Sequence, residues 1–348
     1  MFEQITSTEN LTEALNSARK ARKKKKSGCW RDMELDGKVR HVNQVAVVDK
    51  DPAYWIDKIQ TALLFHTYTT SDYNVFIICD RGKRREIYDL PYYPDRIIQW
   101  AVMRVIEPVF LSKIIPQSFA AMPGRGQHKA LWLLQRYMHD DPKGTAYCLK
   151  TDIKHFFPSI SHDILKDILR GIFKDPDLIW LLDDIIDSVD EGIPIGNYTS
   201  QYLGNIYLAG LDHYMKEVVG AKYYLRYMDD IIVLDGSKER LRDIFNAMRE
   251  YAESRLQLTI KENWQIFPTD VRGVDFVGYR SFYGFTLLRR RVKKNFIKAA
   301  KEIRGKLDRG EELTTHDKCV LGSYHGILKW CDSYRLKIKH LSQGGMKV

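Results

Sequence analysis

The sequence lacks the features expected of a zinc protein, a disulfide-linked secreted protein or a membrane protein. Its five cysteines are scattered along 348 residues with no close pair at the spacing of a metal site. This pattern predicts free thiols in a reducing compartment and no structural metal. The chain also has no secretory signal and no apolar run long enough to span a bilayer. We therefore expect a soluble, cytoplasmic protein that does not act at a membrane.

Negative charge is also in deficit. The chain has 55 Lys and Arg residues against 45 Asp and Glu residues, which leaves a net charge of +10. Such an excess is typical of nucleic-acid-binding proteins, because each cation that meets a phosphate releases a condensed counterion. A basic run at residues 19–26 follows a helical pattern and is either a disordered tail or an arm that lies on RNA phosphates. With 44% hydrophobic residues, the chain can form two or three subdomains.

Three aspartates lie beside strand-like segments. Asp229 and Asp230 are flanked by apolar residues at 223–225 and 231–234, which predicts a β-hairpin with two acids at its tip. Asp152 ends another strand-like run at residues 149–152. Three such acids could hold two divalent metals for phosphoryl transfer, because Mg²⁺ prefers hard oxygen ligands. An Asp-Asp pair alone favours a simple turn, so the argument depends on the segments around it.

The surrounding segments occur in a definite order. Three segments precede Asp152, at residues 81–87, 94–101 and 118–126. One lies between Asp152 and the Asp-Asp pair, at residues 192–201, and two follow the pair, at residues 256–261 and 276–279. This series resembles the fingers and palm motifs of reverse transcriptases, and the similarity covers about residues 10–335. Residues 195–201 carry Ile before Gly and end in Ser-Gln, where most relatives have Gln-Gly and Ser-Pro. That variation resembles the enzymes of diversity-generating retroelements.

The resemblance implies an α+β, right-hand polymerase fold with fingers, a palm of antiparallel sheet backed by helices, and a helical thumb. Apolar spacing agrees with it, predicting helices at residues 95–100, 127–137 and 241–256 and a lysine-decorated helix after residue 287. The expected divisions are a basic N-terminal helix or arm at 1–30, fingers with the start of the palm at 31–145, palm at 146–283 and thumb at 284–348.

The resemblance also assigns the metal site. Asp152 and Asp229 would bind both metals, with Asp230 in support and the carbonyl of Ile153 as an extra ligand. The metals would be two Mg²⁺ ions, with Mn²⁺ as a possible substitute. The catalytic residues are therefore expected to be Asp152, Asp229 and Asp230.

A further set of residues would bind the incoming nucleotide. Lys83 and Arg85 would hold its triphosphate, with Arg84 able to take the place of Arg85. Phe157 is expected to exclude a 2′-hydroxyl, and on a strand its neighbour Phe156 would point the other way.

The remaining assignments concern the variant motif and the segments after it. Gly196 would allow close approach to template or nucleotide, unless it is a simple turn glycine, and Ile195 replaces a polar residue, which would weaken nucleotide discrimination. Lys261 could protonate pyrophosphate or be an exposed lysine at a strand end. Gln201 would complete the nucleotide site, and the primer grip would comprise Phe276, Val277, Gly278 and Tyr279.

Three functions remain open at this point. The first is an RNA-directed DNA polymerase that copies template RNA into cDNA in a diversity-generating retroelement, error-prone at template adenines during mutagenic retrohoming. The second is a related bacterial reverse transcriptase acting in antiviral defence, and the third is an inactive nucleic-acid-binding scaffold. The first implies template RNA, a DNA primer or cDNA, dNTPs and a small, basic, oligomeric accessory protein in a bacterial or phage-infected cell. Repeats in the flanking DNA would separate the first two.

Overall fold

The structure, a computed structural model, describes residues 1–23, 30–80 and 83–342. Strands and helices alternate irregularly along the chain. The helices are α1 (Phe2–Thr6), α2 (Thr8–Lys23), α3 (Gln44–Val48), α4 (Pro52–Leu64), α5 (Ile97–Lys113), α6 (Gln127–Asp140), α7 (His162–Ile172), α8 (Pro176–Asp187), α9 (Tyr198–Tyr207), α10 (Ala209–His213), α11 (Lys238–Leu256), α12 (Thr269–Arg272), α13 (Arg290–Asp308), α14 (Thr315–Leu328) and α15 (Tyr334–Lys337). The strands are β1 (Trp30–Leu35), β2 (Lys38–Asn43), β3 (Asn74–Asp80), β4 (Lys83–Asp89), β5 (Tyr147–Asp152), β6 (Tyr223–Tyr227), β7 (Asp230–Asp235), β8 (Gln265–Pro268), β9 (Val274–Phe276), β10 (Tyr279–Phe282) and β11 (Phe285–Leu288).

The chain divides into two compact units, each made of separate stretches of sequence. Unit 1 comprises residues 1–115, 153–213 and 250–259. Unit 2 comprises residues 116–152, 214–249 and 260–348. The chain passes from unit 2 into unit 1 directly after Asp152, and it returns to unit 2 at residue 214.

Unit 2 is built on a four-stranded antiparallel sheet with the strand order β6-β7-β5-β8. Because side chains alternate along a strand, Cys148 and its cross-strand neighbours Leu234 and Phe267 share one face. This face packs with residues of α6 and β9 in a buried apolar cluster. The acids at the far end of β5 and β7 continue the same face, so one side of the sheet carries both the core and the charged site.

A second sheet in unit 2 supports the C-terminal helices. It has the order β11-β10-β9, and its residue Tyr279 packs with Phe296 and Ala300 of α13 and Leu328 of α14. The predicted apolar face of α13 is observed, since Phe296, Ala300 and Ile303 are buried. The lysines of α13 at positions 293, 294, 298 and 301 are exposed.

Unit 1 is mainly helical and contains two β-hairpins, β1-β2 and β3-β4. Helix α5 lies in its interior, with Ile98, Val102 and Ile106 fully buried. Helix α9 is buried along almost its whole length, and Gln201 is its exposed residue near the N-terminus. The chain therefore enters the core at Asn197, directly before α9, and Thr199 and Ser200 in the first turn of α9 are buried, which fixes the position of the variant motif.

The structure confirms the α+β class, the hairpin at the aspartate pair and the predicted helices. One local prediction was wrong: residues 156–157 are not on a strand. The strand β5 ends at Asp152, and a 3₁₀ turn covers Phe157–Ser159. The alternation argument therefore fails, although Phe156 is buried and Phe157 is half-buried. The basic run beyond residue 23 and Cys29 lie outside the described residues, while the cysteines at 79, 148, 319 and 331 are free thiols. Among the residues described, no helix is long and apolar enough to cross a bilayer.

Candidate active site

Pairing between β5 and β7 brings two of the predicted catalytic acids together. Asp152 lies directly opposite Asp230 in the register of the two strands. Both are the terminal residues of their strands, so their carboxylates lie at the edge of the core, with side chains 36% and 26% exposed. Asp229 occupies the turn between β6 and β7, one residue from Asp230. The sheet thus gathers the three acids at one end of unit 2.

The turn that carries Asp229 is unusually constrained. Tyr227 pairs with Asp230, so Met228 and Asp229 form a two-residue connection, and Met228 has φ of +56°. A residue with a side chain disfavours this left-handed conformation. The fully buried Arg226 donates a hydrogen bond from Nη1 to the carbonyl of Met228 at 3.1 Å. This contact holds the carbonyl beside the acids in place.

Two lysines neutralise the acids. Lys261 forms an ion pair with Asp152, and its main-chain N–H also donates to the carbonyl of Asp152 at 3.0 Å. The Nζ of Lys150 lies 3.4 Å from Oδ2 of Asp230. Burial raises the pKa of Asp230 to about 6, with a further rise from the charge of Asp152 and an opposing effect of Lys150. The site is therefore one in which carboxylate charge is crowded and countered by ammonium groups.

The donor set suits a hard divalent cation but is not preassembled around one. Oδ1 of Asp230 is buried and has no hydrogen-bond partner in the described structure, which leaves an oxygen ligand available. Carboxylate oxygens are what Mg²⁺ prefers. Within the described residues, however, no three His, Cys, Asp or Glu side chains are grouped as a complete metal site. Lys261 already contacts Oδ1 of Asp152, so a metal would compete with its ammonium group for this oxygen.

Unit 1 brings together two segments that were predicted to bind the nucleotide. The main-chain N–H of Tyr88 on β4 donates to the carbonyl of Ile195 at 2.9 Å. Gly196 has φ of +135°, and a Cβ there would lie 2.4 Å from the carbonyl oxygen of Tyr88. The glycine is therefore required by close approach to β4 itself. Its contact with a template or nucleotide stays a prediction.

The arginines of β4 lie on the same hairpin. Arg84 and Arg85 are exposed and pair with Cys79 and Ile78 of β3. Lys83 begins β4, but its side chain lies outside the described part of the structure. Because the main chain of Tyr88 is hydrogen-bonded to Ile195, the basic strand β4 and the variant motif lie side by side in unit 1.

Phe157 lies beside Ile193, just before the variant motif in unit 1. Its carbonyl accepts a hydrogen bond from the main chain of Ile193 at 3.0 Å. Its ring lies 5.3 Å from that of Phe156, and a Cβ added at Gly204 of α9 would lie 3.4 Å from it. Phe157 is therefore packed on α9 and on Phe156 while remaining half-exposed. Ile153, by contrast, is buried in unit 1.

The predicted primer grip is a tight turn between β9 and β10. Phe276 and Tyr279 are buried in the two apolar clusters of unit 2, so their side chains support the turn from within. Val277 and Gly278 form the turn, with φ of +43° and +93°. A positive φ at a β-branched residue is rare. The side chain of Val277 is only partly buried and packs against both clusters.

Sequence reasoning missed the residues that support these acids. Lys150 was available from alternation alone, since it lies two residues before Asp152 on the same face of β5. The role of Arg226 could not be predicted, because the sequence does not distinguish a buried arginine before a turn from an exposed one. The pair of Asp275 and Arg289 joins residues whose proximity only the folded sheet reveals.

The antiparallel sheet with aspartates opposed across β5 and β7 and a third at the hairpin turn defines the palm of a right-hand polymerase fold. The chain belongs to the family described as reverse transcriptase (RNA-dependent DNA polymerase), which matches residues 72–280, more than half of its length.

Individual relatives are distant. Protein YkfC of Escherichia coli (strain K12) is 24% identical over 250 residues, which cover 59% of this chain and 65% of that protein. The group II intron-encoded protein LtrA of Lactococcus lactis subsp. cremoris is 25% identical over 154 residues, covering 41% and 25%. The apo telomerase from Candida Tropicalis aligns with a TM-score of 0.49 and 13% identity over 77% of this chain and 56% of that one. The chain spans less than two thirds of the length of each of these proteins.

Proposed function

We propose that the chain is an RNA-directed DNA polymerase that copies a template RNA into cDNA. The observation that carries this proposal is the opposition of Asp152 and Asp230 across β5 and β7, with Asp229 at the turn. In this proposal residues 31–145 form the fingers with the start of the palm, residues 146–283 the palm and residues 284–348 the thumb. Residues 1–30 are the basic N-terminal helix or arm of this proposal, and the helices α1 and α2 within it are buried in unit 1 through Phe2, Ile5 and Leu11.

The three acids would hold the metals. When bound, two Mg²⁺ ions, or Mn²⁺ in their place, would stabilise the attacking and leaving oxygens of an in-line displacement. Asp152 and Asp229 would ligate both ions, and Asp230, whose buried Oδ1 lacks a partner in the described structure, would support them. The Ile153 carbonyl would add a ligand. Lys261, released from Asp152, would then be free to give a proton to the departing pyrophosphate.

Unit 1 would supply the nucleotide contacts. Lys83 and Arg85, or Arg84 in place of Arg85, would neutralise the triphosphate. Phe157 would exclude a 2′-hydroxyl, which its half-exposed ring supports. The exposed Gln201 and the segment at Ile195 and Gly196 would line the pocket, and the hydrogen bond from Tyr88 to Ile195 supports a shared pocket with β4.

We further propose that the enzyme serves a diversity-generating retroelement. The support is Ile195, an aliphatic side chain where most relatives carry an amide. In this role the chain would act with a structured template RNA, a cDNA or DNA primer and a small, basic, oligomeric accessory protein. Copying would be error-prone at template adenines, because Ile195 offers no hydrogen bond that reports pair geometry.

Primer extension on a defined RNA with dNTPs and Mg²⁺ tests the polymerase proposal. Asp229→Asn removes ligand charge and should lower the extension rate by at least about a hundredfold, since metal stabilisation contributes several kcal/mol. RNA binding, measured by filter retention, should change little. The control is Asp190→Asn, which removes one carboxylate from an exposed position and should retain activity. Extension at the wild-type rate by Asp229→Asn contradicts the proposal.

A further inference from the structure

Lys150 contacts two parts of unit 2 that the proposed reaction needs together. It lies two residues before Asp152 on β5, so both side chains leave the sheet on the same face. Its Nζ lies 3.4 Å from Oδ2 of Asp230, and it also donates a hydrogen bond to the main-chain carbonyl of Asp275 on β9. One ammonium group therefore joins an acid of the hairpin to the strand that leads into residues 276–279.

Asp275 extends this connection to the C-terminal helices. Its side chain pairs with Arg289, the residue immediately before α13. The main-chain N–H of Arg289 in turn donates to the carbonyl of Gly278 at 3.0 Å. Contacts therefore run without a break from the acid hairpin, through Lys150 and Asp275, to the turn at residues 277–278 and the start of α13.

The orientation of the Asp230 carboxylate depends on this lysine. Lys150 binds Oδ2, while Oδ1 is buried and has no hydrogen-bond partner among the described residues. A carboxylate held at one oxygen presents the other in a fixed direction. Among the hydrogen bonds recorded for the described residues, the one from Lys150 is the one that fixes the rotation of this carboxylate. The lysine is itself fixed from the other side by the carbonyl of Asp275.

We propose that Lys150 is a positioning residue that holds the Asp230 carboxylate and strand β9 in one fixed arrangement. The acids and the turn at residues 277–278 can then contact the same primer end. Its kinetic consequence rests on the proposed polymerase function, whereas its structural consequence does not. The lysine acts through Asp230 and Asp275, and it need not touch the substrate.

Three variants test the kinetic consequence. Lys150→Met keeps most of the length of the side chain and removes its charged end, Lys150→Arg keeps the charge, and Lys143→Met removes a charge from an exposed lysine. For Lys150→Met, kcat for primer extension should fall by about ten- to a hundredfold, because alignment contributes to the chemical step. KM for dNTPs should stay nearly constant, Lys150→Arg should recover part of kcat, and Lys143→Met should match the wild type. An unchanged kcat in Lys150→Met overturns the proposal.

Hydrogen–deuterium exchange tests the structural consequence without activity. Peptides covering residues 228–231 and 274–279 should exchange faster in Lys150→Met than in the wild type or Lys143→Met, because local opening becomes easier once the ammonium no longer joins the two strands. Equal exchange in both peptides overturns the proposal, whether or not the chain makes DNA. If the wild-type chain makes no DNA but these peptides respond as expected, the polymerase function fails and the positioning role stands.

Binding of Mn²⁺, followed by the electron paramagnetic resonance signal of the free ion, separates positioning from loss of fold. An intact site without this nearby cation should bind Mn²⁺ at least as tightly as the wild type, since like-charge repulsion is reduced. Tighter or equal Mn²⁺ binding together with a lower kcat therefore supports positioning. Loss of Mn²⁺ binding together with faster exchange throughout unit 2 shows that the substitution unfolds the sheet and overturns the proposal.

Discussion

At the residue scale, Phe157 offers a direct test of sugar selection. Phe157→Ala should open space beside the nucleotide sugar and raise ribonucleotide use relative to deoxynucleotide use by about tenfold or more, which corresponds to a steric penalty of at least about 1.4 kcal/mol. The measurement is single-nucleotide extension with matched dNTP and rNTP. Because the ring packs on Phe156 and near Gly204, Phe157→Leu serves as a control that retains more of this packing. Unaltered rejection of ribonucleotides by both variants would place the selecting group elsewhere.

Ile195 allows a second test at the same scale, of fidelity. Ile195→Gln introduces an amide able to contact the incoming nucleotide, and one well-placed hydrogen bond contributes about 0.5–1.5 kcal/mol, up to about tenfold in discrimination. We expect fewer errors at template adenines, measured by sequencing cDNA made on a defined RNA. Ile195→Val, which stays apolar, should leave the error spectrum as it is. Intact synthesis with the same adenine errors in Ile195→Gln would favour a role in antiviral defence.

The residues at the site show where sequence reasoning succeeds and where it ends. Asp152 and Asp230 could be placed in advance, because strand periodicity and apolar flanks fix the ends of β5 and β7. The turn at Phe157 could not, since a short run of apolar residues does not distinguish a strand from a 3₁₀ turn. The bond between Lys150 and Asp275 joins residues 125 positions apart. Only the assembled sheet brings that pair together.

At the element scale, the start of α14 contains a charge that should make its stability depend on pH. The Thr314 side chain accepts from the N–H of Asp317, whose carboxylate accepts from Thr314 and pairs with Lys306 of α13 at 2.9 Å. The hydrogen bond from the Thr314 side chain, and then that from Lys306, hold the pKa of Asp317 at about 2. Because the pKa of Asp317 is depressed in the folded protein, its ionised carboxylate stabilises the fold at pH values above the ordinary pKa of an aspartate. This stabilisation is lost as the pH falls toward 2.

Asp317→Asn tests that dependence. At neutral pH the variant should be less stable than the wild type in urea unfolding, because it loses the ion pair with Lys306 of α13. The difference should shrink as pH falls from about 4 toward 2, where the wild-type carboxyl becomes protonated as well. Asp308→Asn, at a more exposed carboxylate, is the control and should show a smaller difference. A gap between Asp317→Asn and the wild type that stays constant with pH would exclude the linkage.

At the scale of the whole molecule, the net charge of +10 predicts RNA binding that weakens steeply with salt. The exposed lysines of α13 should contribute to it. Replacing Lys293, Lys298 and Lys301 by Gln should reduce the slope of log affinity against log salt concentration by about 0.7–0.9 for each phosphate that is no longer neutralised. Replacing Lys38, Lys50 and Lys143, exposed lysines outside α13, is the control. Equal reductions of slope in the two triple variants would argue against α13 as an RNA-binding face.

The outer strand of the palm sheet, β6, limits where the chain can be cut to make a fragment that stays soluble on its own. Ser118 forms a parallel bridge with Arg226, and main-chain bonds of 3.0 Å join Gln117 and Phe119 to the same residue. This segment therefore covers the free edge of β6, an edge that would otherwise recruit a strand from another molecule. A fragment that began at residue 146 would expose that edge and associate with itself. A palm fragment for expression in isolation should accordingly begin near residue 116, where unit 2 begins. This is thirty residues before the boundary at residue 146 that the sequence motifs predict.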